Sequence, residues 1–133
     1  MDLKIYLAGG KTDRFYIDAM EEYGKRLGRY CKIEFVHVKN PSLLPGKLSE
    51  KFYRIAVSTK GQPISSEGLA EKINSLALTG RPDVAFIIGA EDLPCDEKIT
   101  VSPMDMDLGL IAVIMFEQIY RAFRILNGEP YHK

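Results

Sequence analysis

The sequence predicts an α/β fold with a mostly parallel sheet, and three observations carry that prediction. Strand-length apolar segments alternate with longer segments whose apolar residues recur at helical spacing. One strand, Val84-Ala85-Phe86-Ile87-Ile88, is apolar at every position, as a central strand covered on both faces is. The strands close at glycine or small residues, leaving turns in which a backbone can approach a ligand. At 133 residues the chain is expected to form one domain, 1–133, with a core that requires neither metal nor disulfides.

The elements follow in order. Leu3 to Ala8 reads as a first strand ending at Gly9-Gly10. Thr12 is the expected cap of the helix that follows, with Phe15, Ala19, Tyr23 and Leu27 recurring every four residues beside Tyr16 and Met20. Gly28 ends that helix, and Lys32 to Val38 alternates as a second strand. Residues 40–50 hold two prolines and a glycine and read as a connection with one helical turn. Tyr53 to Ser58 is a third strand, closed by Thr59-Lys60-Gly61-Gln62-Pro63. Ser65 or Ser66 caps a helix with Leu69, Ile73 and Leu76 inward, ended by Gly80 and Pro82. Val84 to Ile88 is the fourth strand and Lys98 to Ser102 the fifth. The last helix begins near Asp105 or Asp107 and stops at Asn127-Gly128, leaving a short tail with Tyr131 and His132.

Composition narrows the function classes. Hydrophobic residues make up 46% and charged residues 27%, ordinary for a globular protein. The two cysteines, Cys31 and Cys95, fit no metal-ligand spacing, so no metal is expected. The longest apolar run, Leu108 to Phe116, is too short to span a bilayer, and no charged-then-apolar leader opens the chain, so the expected location is cytoplasmic. The net charge is zero, where nucleic-acid binders usually carry a basic excess. Lysine and arginine nevertheless cluster at residues 25–29 and at Arg121, Arg124 and Lys133, so composition neither supports nor excludes RNA.

Conventional catalytic patterns are missing. Gly9-Gly10-Lys11 is too short for a phosphate-binding loop, and His37 alternates within a strand, away from any Ser-His-Asp arrangement. In parallel sheets ligands bind beyond the carboxyl ends of the strands, here Ser58 to Gly61, Ile88 to Ala90 and Ser102 to Met104. A site made of backbone and small residues suits a group-carrying cofactor that brings its own reactivity.

Four segments carry a family likeness. They are Lys4 to Lys11 followed by Glu22 to Leu27; Gly61 to Ala70; Phe86 to Gly89; and Glu117 to Ala122 with Gly128 to His132. Together, in this order, they resemble the ribosomal large-subunit methyltransferase H family, the pseudouridine N3-methyltransferases of the SPOUT superfamily. The resemblance implies an α/β trefoil knot, S-adenosylmethionine as methyl donor, a homodimer that completes each site, and 23S ribosomal RNA as substrate. By position it implies that Val57, Gly89 and Ala90 hold the cofactor, with Ser102, Pro103, Met104, Asp105, Met106 and Asp107 as a further wall. On the substrate side it implies Arg121, Tyr131 and His132, with Arg121 against RNA phosphate and the Tyr131-His132 tail over the target base.

The chain also departs from the family pattern. Ala90 stands where a second glycine is usual, the loop after it is shorter, and Leu108 and Ala112 occupy positions that are usually His and Arg. The alternative reading is therefore a divergent, catalytically impaired knotted homodimer that serves as a ligand- or protein-binding module.

Overall fold

The structure, a computed structural model, describes residues 1–132; Lys133, counted above among the clustered cations, lies outside the described residues. The elements run β1 (Asp2–Ala8), α1 (Arg14–Leu27), β2 (Lys32–Val38), two 3-10 turns (Pro41–Leu43 and Pro45–Lys47), β3 (Tyr53–Pro63), α2 (Ser66–Leu78), β4 (Asp83–Ile88), β5 (Glu97–Thr100) and α3 (Leu108–Leu126). The five strands form one sheet in the order β2-β1-β4-β3-β5, and every neighbouring pair is parallel.

The alternation within β1 divides the core. Leu3, Ile5 and Leu7 face one layer, which also collects Val84, Phe86 and Ile88 and the buried side chains of all three helices. Tyr6, Ala8, Ala85 and Ile87 face the other, which is closed by Val38, Leu44 and Phe52. β4 is thus covered on both faces as its unbroken apolar run predicts, although helices flank only one of them. Crossover handedness accounts for this. The β1-to-β2 and β3-to-β4 crossovers step the same way along the sheet and place α1 and α2 on one face. The β2-to-β3 crossover steps back the other way and must pass over the opposite face, where the two 3-10 turns lie.

Several boundaries differ from the sequence expectation. β3 does not stop at Ser58: it bulges after Val57 and resumes, so that both Val57 and Gln62 pair with Ile99 of β5. Gly61 makes this possible, because a Cβ there would lie 2.3 Å from the backbone carbon of Ile99. β5 is correspondingly shorter, ending at Thr100. Thr12 is not the cap of α1; the N-cap is Asp13, whose side chain makes no capping bond, and the Thr12 hydroxyl is buried without a partner among the described residues. The inner face of α1 is Tyr16, Ile17, Met20, Tyr23 and Leu27, whereas Phe15 is 63% exposed. Ser65 and not Ser66 caps α2, accepting from the Gly68 N–H, and Leu69, Ala70, Ile73 and Leu76 are buried as its spacing predicts.

Candidate active site

Two regions gather the residues singled out by the sequence, and they lie at opposite ends of α3. The first is the carboxyl edge of the sheet. Gly89 follows β4 with φ +87°, and a Cβ there would sit 2.4 Å from the Ala8 carbonyl oxygen and 3.0 Å from Leu108 Cδ1. Only glycine fits this turn, and its main chain is left bare toward the loops. Gly89 and Ala90 line a cavity of about 400 Å³ with Pro41, Ser42 and Leu44 on one side and residues 91–94 on the other. Val57 lies beneath this edge, in register with Ile88 and Ile99. Directly after it, the Ser58 hydroxyl donates to Glu91 Oε1 at 2.7 Å, tying β3 to the loop that follows β4.

Residues 102–107 connect β5 to α3 as an irregular segment braced by its own hydroxyls. Thr100 Oγ1 donates to the Ser102 carbonyl, and Ser102 Oγ accepts from the Met104 N–H at 3.0 Å. Pro103, Met104, Asp105 and Asp107 are exposed, while Met106 packs against the core. Asp107 caps α3, accepting from the Gly109 N–H at 2.8 Å. Asp105 makes no such bond, which settles the choice between the two caps. Leu108 touches the Gly89 turn and Ile111 and Ala112 are buried, so one face of the apolar start of α3 is packed inside its own chain, whereas Leu110, Val113 and Ile114 are half-buried.

The second region is the far end of α3 with the tail. The helix stops at Asn127, and Gly128, at φ +64°, turns the chain back. Glu129 then bonds Arg124 at 2.8 Å and Tyr30 at 2.6 Å, which pins the tail to α3 and to the turn that follows α1. The Glu129 carboxyl is held below its ordinary range, first by the Tyr30 hydroxyl and then by Arg124 and Arg29. Beyond this latch, Tyr131 stacks edge-on against Tyr120, with ring centroids 4.9 Å apart, and lies under the Arg121 guanidinium. Burial, reinforced by the Glu117 carboxylate, pushes the Tyr131 phenol up to about 12.

Arg121, Tyr131 and His132 are thus brought together, and two carboxylates organise them. Glu117 accepts from Arg121 Nη2 at 2.6 Å, from Arg121 Nε at 3.0 Å and from the Tyr131 hydroxyl at 3.3 Å. Glu67, from the first turn of α2, lies 2.6 Å from His132 Nε2, and that bond holds its carboxyl below the usual range. The remaining ring nitrogen, Nδ1, lies 3.1 Å from Arg121 Nη1. Three of the five Arg121 N–H groups are thus engaged within the chain.

A family model described as "Predicted SPOUT methyltransferase" matches residues 1–132. The chain belongs to the SPOUT methyltransferase family. It is similar to "Ribosomal RNA large subunit methyltransferase H 1" of Thermoanaerobacter sp. (strain X514), 50% identical over 133 residues that cover all of both chains. It is 34% identical to "Ribosomal RNA large subunit methyltransferase H" of Clostridium beijerinckii and 35% identical to the protein of that name from Alkaliphilus oremlandii, each over 159 aligned positions and covering all of both chains. Those two alignments are longer than this chain, whereas the Thermoanaerobacter alignment is not.

Sequence reasoning missed Pro41, Ser42 and Leu44 as cavity walls and Glu67 and Glu117 as the carboxylates of the tail cluster. Asn40, which caps the first 3-10 turn by accepting from the Ser42 N–H at 3.1 Å, was a legible sign that this connection is ordered. For Glu67 no local signal existed, since its partner is 65 positions away. Among the described residues no group of three or more His, Cys, Asp or Glu is placed to hold a metal, and no helix is long and apolar enough to cross a membrane.

Proposed function

We propose that this SPOUT protein is a cytoplasmic, single-domain RNA methyltransferase that transfers a methyl group from S-adenosylmethionine to N3 of pseudouridine in 23S ribosomal RNA, working as a knotted homodimer. The names of its relatives and the family match support the reaction class. The residues at the sheet edge fit the donor: the bare Gly89 backbone, the small Ala90 and a cavity of about 400 Å³ suit a nucleoside-sized group, within the usual range for small-molecule sites. Gly89 and Ala90 would hold it from that cavity, and Val57 and the segment 102–107, which do not line the cavity, would hold it from the neighbouring strand ends, with Asp105 available to its positive charge. When bound, the sulfonium supplies an activated methyl group, so the protein's task is alignment of the acceptor and removal of its proton.

One observation carries the dimer. Leu108 touches the Gly89 turn, and Arg121 follows it by 13 positions on the same helix. At about 1.5 Å per residue that is roughly 20 Å along the axis. The tail cluster of a chain is thus far from its own donor pocket, and alignment of methyl group and base needs contact distances. An antiparallel second copy would set the tail of one chain at the pocket of the other. The half-buried Leu110, Val113 and Ile114 give α3 an apolar surface for that packing. Calorimetry with S-adenosylmethionine, followed by transfer of labelled methyl to large ribosomal subunits lacking the modification, tests this reading. Micromolar binding and stoichiometric labelling are expected; donor binding without transfer to RNA would instead favour a ligand-binding module.

A further inference from the structure

The hydrogen bonds around His132 fix which of its nitrogens carries the proton. Arginine has no acceptor, so the contact at Arg121 Nη1 makes Nδ1 of the imidazole the accepting, unprotonated nitrogen. The Glu67 carboxylate has only acceptors to offer, so Nε2 must be the N–H that donates to it. His132 is therefore a neutral imidazole with its lone pair on Nδ1, facing Arg121. A carboxylate on one ring nitrogen and an accepting lone pair on the other is the arrangement that makes histidine an effective proton acceptor.

Arg121 and His132 also present a pattern. Glu117 holds Arg121 through Nε and Nη2 and so fixes the plane of the guanidinium, leaving Nη1 as the corner that Glu117 does not hold. Side by side, Nη1 is a donor and Nδ1 an acceptor. A uracil-type imide offers the complement, an N–H flanked by carbonyl oxygens. Such an edge replaces the single Arg121–His132 bond with two, the carbonyl accepting from Nη1 and the N–H donating to Nδ1.

We propose that Glu67 is a positioning residue that locks His132 in this tautomer, so that Nδ1, paired with Arg121 Nη1, reads and deprotonates the imide nitrogen of the substrate base. The inference rests on the methyltransferase reading above and names the proton acceptor it requires. In the step, the imide proton moves to Nδ1 and the nitrogen's electron pair forms the N–CH₃ bond. The S–CH₃ bond of the sulfonium donor breaks with its pair kept by sulfur, and the positive charge lost there reappears on the imidazolium, beside Glu67. The groups facing that charge are Glu67 from α2, Glu117 and Arg121 from α3, and Tyr131 from the tail.

The chain has two histidines, which makes the test direct. ¹⁵N-histidine NMR of the free protein at neutral pH should show His132 with a protonated Nε2 and a bare Nδ1. His37, whose Nε2 donates to the Gly9 carbonyl at 3.1 Å, provides an internal reference for the same tautomer. Glu67→Ala should free the imidazole to turn away from Arg121 and so leave a mixture of tautomers at His132, lower kcat about tenfold or more and leave the KM for the methyl donor unchanged. Glu67→Gln, whose amide oxygen still accepts from Nε2, should keep the tautomer and recover part of the rate. The rising limb of its pH–rate profile should move to lower pH, because the imidazolium has lost its anion. A protonated Nδ1 in the wild type, or an unaltered rate in Glu67→Ala, overturns the proposal while leaving the methyltransferase reading intact. A wild type that binds donor but transfers nothing overturns both.

Discussion

The two ends of α3 are built on opposite principles. At the carboxyl edge of the sheet the cavity is lined largely by backbone, a positive-φ glycine and small residues, with Ser58–Glu91 tying β3 to the loop after β4. At the tail almost everything is a side chain. Glu67, His132, Arg121, Glu117 and Tyr131 form one connected chain of bonds, latched by Glu129 to Arg124 and Tyr30. The first kind of site is sensitive to shape and indifferent to functional groups; the second is the reverse. In the proposed reaction a reactive donor needs room at one place and chemistry at another, and this chain would separate the two.

The largest expected effect comes from adding atoms at the backbone end. Gly89→Val places a branched Cβ against the Ala8 carbonyl at a φ that disfavours any side chain, so it should cost about 3 kcal/mol or more in urea unfolding and abolish donor binding. An unchanged unfolding midpoint would show that the edge tolerates bulk. At the other end, Glu117→Ala removes a carboxylate that Arg121 and Tyr131 share. Methyl transfer should fall on the order of 100-fold with donor affinity preserved in calorimetry. Equal loss of both would erase the distinction between the regions.

Acid should separate them more gently. The Glu67 and Glu129 carboxyls are both held below their ordinary values by bonds to the tail cluster. Their contribution is complete above the unfolded carboxyl value, about 4.3, and is lost as pH falls through the lower folded values. Amide hydrogen exchange should therefore show the tail released on acidification before the Gly89 turn loses protection. Smallest of all are the helix caps, one at each region. Ser65→Ala and Asp107→Ala should each cost about 1 kcal/mol in thermal or denaturant unfolding.

The sequence foretold these two regions unevenly. The parallel α/β class, the central position of Val84 to Ile88 and the helix stop at Asn127-Gly128 follow from periodicity and turn chemistry, which are local. Strand order does not, because it is set by which face each crossover takes. The continuation of β3 was masked by Gly61 and Pro63, residues that signal a turn until Ile99 is seen pressed against Gly61. The cavity-lining Gly89 and Ala90 were legible as a strand end, but Pro41, Ser42 and Leu44 reach the same cavity from a connection without periodicity. Tyr131 and His132 stood out as an odd tail. The bonds from Tyr30 to Glu129 and from Glu67 to His132 span 99 and 65 positions, and no local pattern encodes such pairs.

The central claim is that one chain's donor pocket works with another chain's tail, and mixed dimers test it most directly. A tail-dead His132→Ala chain and a pocket-blocked Ala90→Phe chain should each be inactive alone. Refolded together in equal amounts, half of the dimers are mixed and each mixed dimer holds one intact composite site, so about a quarter of wild-type methyl transfer should return. No recovery, with mixed dimers verified by mass spectrometry, would place pocket and tail within a single chain and contradict the account.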